Sequence, residues 1–422
     1  MMKKEYKILI IIGIVYFVFL LLYISKFGFN SSSTIELSKD HLASFDGDIP
    51  SGIVVETNNG FDGQFYYMMA LNPTLEKIHD IGVHFFQRIT YPILTIIFSF
   101  GIKSLYPATM LLINYFSVII SCYLLLLMLK KSRANLNLVY IFAFNVGFLV
   151  TIIRNLTEPL MVVFSVAAIY YLYEEKHLPS IIFFALAILT RELVLPLYAA
   201  VLLYFLINKK FKEAALYLTA IIPFLGWEFI LFLKTNTIPL LMSFQSISRP
   251  IEGILNYFMK TQKNVEIYIK QPLLASTQNI SSGSGVPLST QSRGLTLNDF
   301  KLINKAFSPL PLAINSVVQS IMVVAIYIKN KKITKNSLFL FSQIALIFSL
   351  RGYFFLNLEI DSVGRYAILM FFFLVLFYAE EKENFGKYLK FLFAVCVILT
   401  ITSSLLYFIQ KIIFFHPTYY IT

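Results

Sequence analysis

The sequence predicts an all-α polytopic transmembrane helical bundle of about eleven spans, with juxtamembrane helices in the first outer loop. Three observations carry this. The chain of 422 residues is 58% apolar and only 14% charged, with a mean hydropathy of +0.72, too little charge to wet a soluble surface. Apolar runs near twenty residues recur along it, each able to cross roughly 30 Å of hydrocarbon as a helix. Its basic residues fall in short clusters between those runs, such as KKSR at 130–133, KKFK at 209–212 and KNKKITK at 329–335. Such clusters are typical of cytoplasmic loops. The net charge of +12 is therefore a topological signal and not a nucleic-acid footprint, and no nucleic-acid partner is expected.

Element by element, MMKKEYK followed by an apolar run to Ile24 resembles a signal peptide. The run is long and lacks a small-x-small cleavage site, so residues 1–25 read as an uncleaved first span with its N-terminus inside. Residues 26–106 form an outer loop, and 107–233 hold spans near 107–129, 135–153, 156–173, 180–192, 193–208 and 213–233. Two of these are short and flank Arg191–Glu192; they read as two tilted crossings, with one broken helix as the alternative. A second outer loop at 234–307 is rich in Ser, Gln, Asn and Gly, with SSGSG at 281–285. Spans near 308–328, 336–355, 363–379 and 387–409 follow, then a tail at 410–422. The apolar stretch 89–102 is too short for an ordinary span. If it crossed, every later basic cluster would flip outward, so it reads as a juxtamembrane helix lying outside. Cys122 and Cys396 lie inside apolar runs and carry no disulfide or metal-ligand signal.

Most non-membrane mass is thus outside, and so are the candidate residues. In FDGQFYYMMALNP at 61–73, Asp62 leads a stretch whose apolar residues sit at helical spacing. That predicts an interfacial amphipathic helix with aromatic residues at headgroup level. Asp62 reads either as its N-cap or as a carboxylate able to take a proton from an attacking hydroxyl, with Tyr66 four residues on. In IHDIGVHFFQRITYPIL at 78–94, Asp80 is a second carboxylate, and Arg88 is suited to a substrate phosphate or to ordinary lipid headgroups. His79 and His84 read as surface polar residues, since no third zinc ligand is near. Further charges sit at outer span ends: Arg154 and Glu158, Arg191 and Glu192, Arg351, and Asp361 with Arg365–Tyr366. Ionisable groups so close to hydrocarbon are costly. They pair with one another as glue, or they line a site for an anionic lipid-linked ligand.

With DGQFYY, the Arg88-x-x-Tyr91-Pro92 run, TRE at 190–192 and Arg365–Tyr366, the chain resembles the GT-C class of membrane glycosyltransferases. The likeness is to a bacterial subgroup of cell-surface glycopolymer assembly, and it extends over roughly residues 8 to 380. The resemblance implies a multi-pass protein of the cytoplasmic membrane using a polyprenyl-phosphate sugar donor and a glycan or lipid acceptor at the outer face. It implies Asp62 as catalytic base, with Asp80 as the fallback. Arg88, Arg191 and Arg365 would contact the donor phosphate, with Tyr66, Arg154, Glu158, Glu192 and Tyr366 around the substrate. Many members carry paired acids in the first loop, whereas Gly63 follows Asp62 here, so no metal and no cofactor is expected. An O-antigen-type polymerase or ligase would work from a late outer loop, where only Arg249 and Arg293 stand. A lipid-linked sugar flippase or transporter would show midplane charges and an internal repeat, and a structural scaffold would leave the outer charges unexplained.

Overall fold

The computed structural model describes residues 3–43, 45, 47–56, 60–75, 82–244, 310–330, 334–349, 365–381, 383, 386–415, 417 and 419–421. His79, Asp80, Arg249, Arg293, Arg351 and Asp361 lie outside the described residues.

Helices dominate. Among the described residues four helical stretches are long and apolar enough to cross a bilayer, namely Lys4–Phe27, Lys103–Lys131, Phe211–Thr235 and Lys387–Ile413. On the first, Ile10, Ile14, Phe17 and Leu21 are each 40% exposed or more. An apolar stripe of that length is stable only against lipid, and this is a membrane protein.

Among the described residues the helices, in chain order, are α1 (Lys4–Ile24), α2 (Lys39–Ala43), α3 (Gly63–Leu71), α4 (Thr90–Phe98), α5 (Tyr106–Lys131), α6 (Val139–Ala143) and α7 (Val146–Ile152). Then come α8 (Glu158–Tyr173), α9 (His177–Thr190), α10 (Leu195–Ile207), α11 (Phe211–Leu218), α12 (Ile222–Thr235) and α13 (Pro239–Phe244). The last four are α14 (Leu310–Asn330), α15 (Lys335–Ser349), α16 (Ile368–Glu381) and α17 (Lys387–Phe408). Contacts at their ends fix the directions. Lys130 at the end of α5 pairs with Glu5 at the start of α1, and Lys131 pairs with Glu174 just past α8. Hence α1 and α5 run antiparallel, and α8 descends to the same end as α5. His177 at the start of α9 packs against Phe205 near the end of α10, and Phe184 packs against Tyr198. The two short helices around Arg191 are therefore an antiparallel pair and not one broken rod.

The loop between α1 and α5 folds as a cap over one end of the bundle. Its strands β1 (Leu37–Ser38) and β2 (Val54–Glu56) pair in parallel, and β3 (Tyr419–Ile421), from the far end of the chain, adds antiparallel to β2. Beneath this sheet α3 is buried along its whole length. That corrects the expectation of an interfacial amphipathic helix: Tyr66, Tyr67, Met68 and Met69 are all inaccessible, packed in one apolar core with Ile35, Leu37, Phe85 and Tyr91. The helix has no wet or lipid-facing side because the loop closes over it. By contrast, α4 exposes Ile93, Ile97 and Phe98. Its nine residues reach only about 13 Å, short of a bilayer.

Candidate functional site

The cap holds the Asp62 segment by close backbone approach. Gly60 adopts φ +66°, and a Cβ there would overlap the carbonyl oxygen of Glu36. A Cβ on Gly63 would overlap the carbonyl oxygen of Arg154. Two glycines thus clamp Asp62 between the first loop and the turn before α8. Asp62 occupies the N-cap position of α3 but makes no capping hydrogen bond with its side chain. Its Oδ2 instead accepts from Arg365 Nη1 at 2.6 Å, across 303 residues of sequence separation.

Around this pair the structure brings together the other candidates. Arg88 forks onto Glu192, with Nε to Oε2 at 3.0 Å and Nη2 to Oε1 at 2.6 Å, while its Nη1 donates to the Tyr66 hydroxyl at 2.8 Å. Arg191 Nη1 lies 3.1 Å from Glu158 Oε1 and donates to Thr157 Oγ1 at 3.0 Å. Arg365 Nε stands 3.6 Å from the same Glu158 oxygen, and its Nη2 donates to the Tyr366 hydroxyl at 2.9 Å. Tyr366 also lies under the guanidinium of Arg191, 5.6 Å from its ring centre. Arg154 pairs at 3.2 Å with Glu36 and stacks on Phe61.

Two expectations are corrected here. Arg88 does not anchor the cap at lipid headgroups; it is 5% exposed and bound to Glu192 through Nε and Nη2. Neighbours in sequence do not pair, either. Arg191 takes Glu158 and leaves Glu192 to Arg88, and Arg154 takes Glu36. At Arg191 the backbone is extended (φ −163°, ψ 129°), which sends successive side chains to opposite sides. Sequence reasoning missed Glu36, a lone acid in SSSTIELSK with no motif around it. It also missed the supporting ring of Phe61.

Among the described residues each arginine of the cluster faces a carboxylate: Arg88 faces Glu192, Arg154 faces Glu36, Arg191 faces Glu158 and Arg365 faces Asp62. Burial pushes the Asp62 carboxyl up, but Arg365, Arg191 and Arg88 outweigh it and hold the group below its ordinary range. His84, at the cap surface near Arg88, is held down by burial and by that arginine. Glu158 is fully buried, and among the described residues neither of its oxygens has a hydrogen bond. Among the described residues no group of three or more His, Cys, Asp or Glu is placed to hold a metal ion.

An apolar groove of about 790 Å³ runs down between α4, α5, α8 and α9. Its upper lining residues Thr90 and Leu160 follow Arg88 and Glu158 by two positions. From Thr109 to Leu124 on α5 it extends about 22 Å along the helix axis. Leu112, Phe116 and Ile120, along its side, are exposed, so the groove opens laterally. A site that combines buried arginines and carboxylates with a lateral apolar slot suits an amphiphile with an anionic head. Compared with known proteins, the chain matches no family model, no curated protein and no solved structure.

Proposed function

We propose that this chain is a GT-C-type glycosyltransferase of the cytoplasmic membrane that moves a sugar from a polyprenyl-phosphate donor to a glycan or lipid acceptor at the extracytoplasmic face. One observation carries the reading. Asp62, Arg88, Arg191 and Arg365, from segments far apart in sequence, meet at one end of the bundle beside a laterally open apolar groove. In this reading the eleven passes are α1, α5, α6 with α7, α8, α9, α10, α11 with α12, α14, α15, α16 and α17. The ends bearing Lys130, Lys131, Lys209, Lys329 and Lys335 face the cytoplasm, in accord with the positive-inside bias.

The chemistry follows from the placement. The acceptor oxygen attacks the anomeric carbon, the bond from that carbon to the phosphate oxygen breaks, and the bonding pair leaves with the phosphate. The acceptor proton passes to the Asp62 carboxylate, while arginine offsets the charge growing on the phosphate. The groove holds the hydrocarbon tail.

The test uses purified protein in detergent with a panel of polyprenyl-phosphate sugars, comparing wild type with Asp62→Ala and Asp62→Asn. Transfer is expected to fall at least about a hundredfold in both variants, the low end of the range for losing a general base, with the elution profile kept and donor binding not lost. Full transfer in both variants would remove Asp62 from the chemistry.

A further inference from the structure

Among the described residues each of the four arginines already faces a carboxylate. An anion entering such a cluster must displace a carboxylate. The four are not equally displaceable. Glu192 is gripped by two parallel hydrogen bonds, the strong geometry for this pair. Glu36 and Glu158 are 7% and 0% exposed in their side chains. Asp62 is 22% exposed and meets Arg365 through a single oxygen.

Resting on the donor reading above, we propose that Arg365 exchanges Asp62 for the phosphodiester of a lipid-linked ligand, with Glu158 and Tyr366 as the positioning residues that hold its guanidinium during the exchange. The three nitrogens of Arg365 already divide the work. Nη1 is on Asp62, Nη2 is on the Tyr366 hydroxyl, and Nε faces Glu158 at 3.6 Å. Glu158 has unused acceptor capacity on both oxygens, so it can close on Arg365 when Asp62 lets go. No bond is made or broken in this step; one ion pair replaces another. The consequence is an order of events. Asp62 is masked while the site is empty and becomes a free base only after the phosphate has arrived. The acceptor hydroxyl is then activated only in the presence of donor.

Calorimetric titration with dodecyl methyl phosphate, a phosphodiester of one fixed negative charge, tests this without any transfer. Asp62→Asn removes the competitor and is expected to bind about tenfold tighter than wild type, the size of one charged hydrogen bond lost. In an Arg365→Gln background the same change should give no gain, whereas a general electrostatic effect would persist there. Unchanged or weaker binding by Asp62→Asn overturns the proposal while leaving the transferase reading intact. Absence of binding to wild type and variant alike overturns both. Dimethyl phosphate, the same head without a chain, should bind far more weakly; equal affinity would overturn the assignment to a lipid-linked ligand. A measurement on unaltered protein covers a variant that fails to fold. Carbodiimide labelling of Asp62, read by peptide mass spectrometry, should rise severalfold on adding the dodecyl diester, and constant or reduced labelling counts against the exchange.

Discussion

At Gly63 the absence of a side chain sets the position of the one beside it. The helix start rests directly on the Arg154 carbonyl, and any Cβ there must shift the backbone that carries Asp62. Gly63→Ala is expected to cost about 1–3 kcal/mol by overpacking, read as a lowered melting temperature in detergent. Its activity should fall further than that loss explains, because Asp62 moves with the backbone. The ion pairs give a second prediction. Glu158 is the only anion within pairing distance of Arg191 among the described residues, so Glu158→Gln leaves a buried cation unpaired, at about 3–5 kcal/mol. Asp62 behaves differently with pH. Its carboxyl is held below the ordinary range once its arginines outweigh burial. A depressed folded-state value contributes stability that is fully present above the unfolded value and is lost as pH falls through the folded one. The melting-temperature gap between wild type and Asp62→Asn should therefore be constant above about pH 5 and close only in stronger acid. These charges were legible in the sequence because ionisable groups stand out in so apolar a chain. Their partners were not, since pairing depends on local backbone. The extended residue at Arg191 and the left-handed Asn155 (φ 46°) turn adjacent charges away from each other, and nothing in the residue types announces that.

Helices show the same limit in another form. The period of α3 reads as amphipathic, yet the cap buries both faces, because a sheet made partly from the other end of the chain closes over it. That closure is a long-range event with no local signature. The groove is equally silent in sequence: an apolar stripe facing a slot has the composition of one facing lipid. On α5 and α8, however, small residues mark its floor, with Ser117 and Ala167 among its lining. Filling it is a test at this scale. Ala167→Phe places a ring in the slot about 13 Å along α8 from Glu158. The KM for long-chain donors is expected to rise about tenfold or more through lost burial of the tail. Short-chain donors that end above residue 167 should be used as well as by wild type. A uniform loss for both chain lengths would mean that the ring perturbs the fold and not a tail site.

For the molecule as a whole, everything proposed of the cluster depends on which side of the membrane it occupies, and the structure makes that question easy to put. Both native cysteines, Cys122 and Cys396, are buried, so single reporter cysteines can be added to the unaltered background. Ser51 lies exposed on the cap and Lys209 exposed at the opposite end, in the turn between α10 and α11. The antiparallel order of α1 and α5, and of α9 and α10, puts these two positions at opposite ends of the bundle. With the basic clusters inside, Ser51→Cys should react with a membrane-impermeant maleimide added to intact cells. Lys209→Cys should react only after the membrane is opened. The reverse pattern would put the Asp62 cluster in the cytosol, where a polyprenyl-phosphate transferase of the outer face cannot work. It would leave the bundle, the cap and the ion pairs as they are.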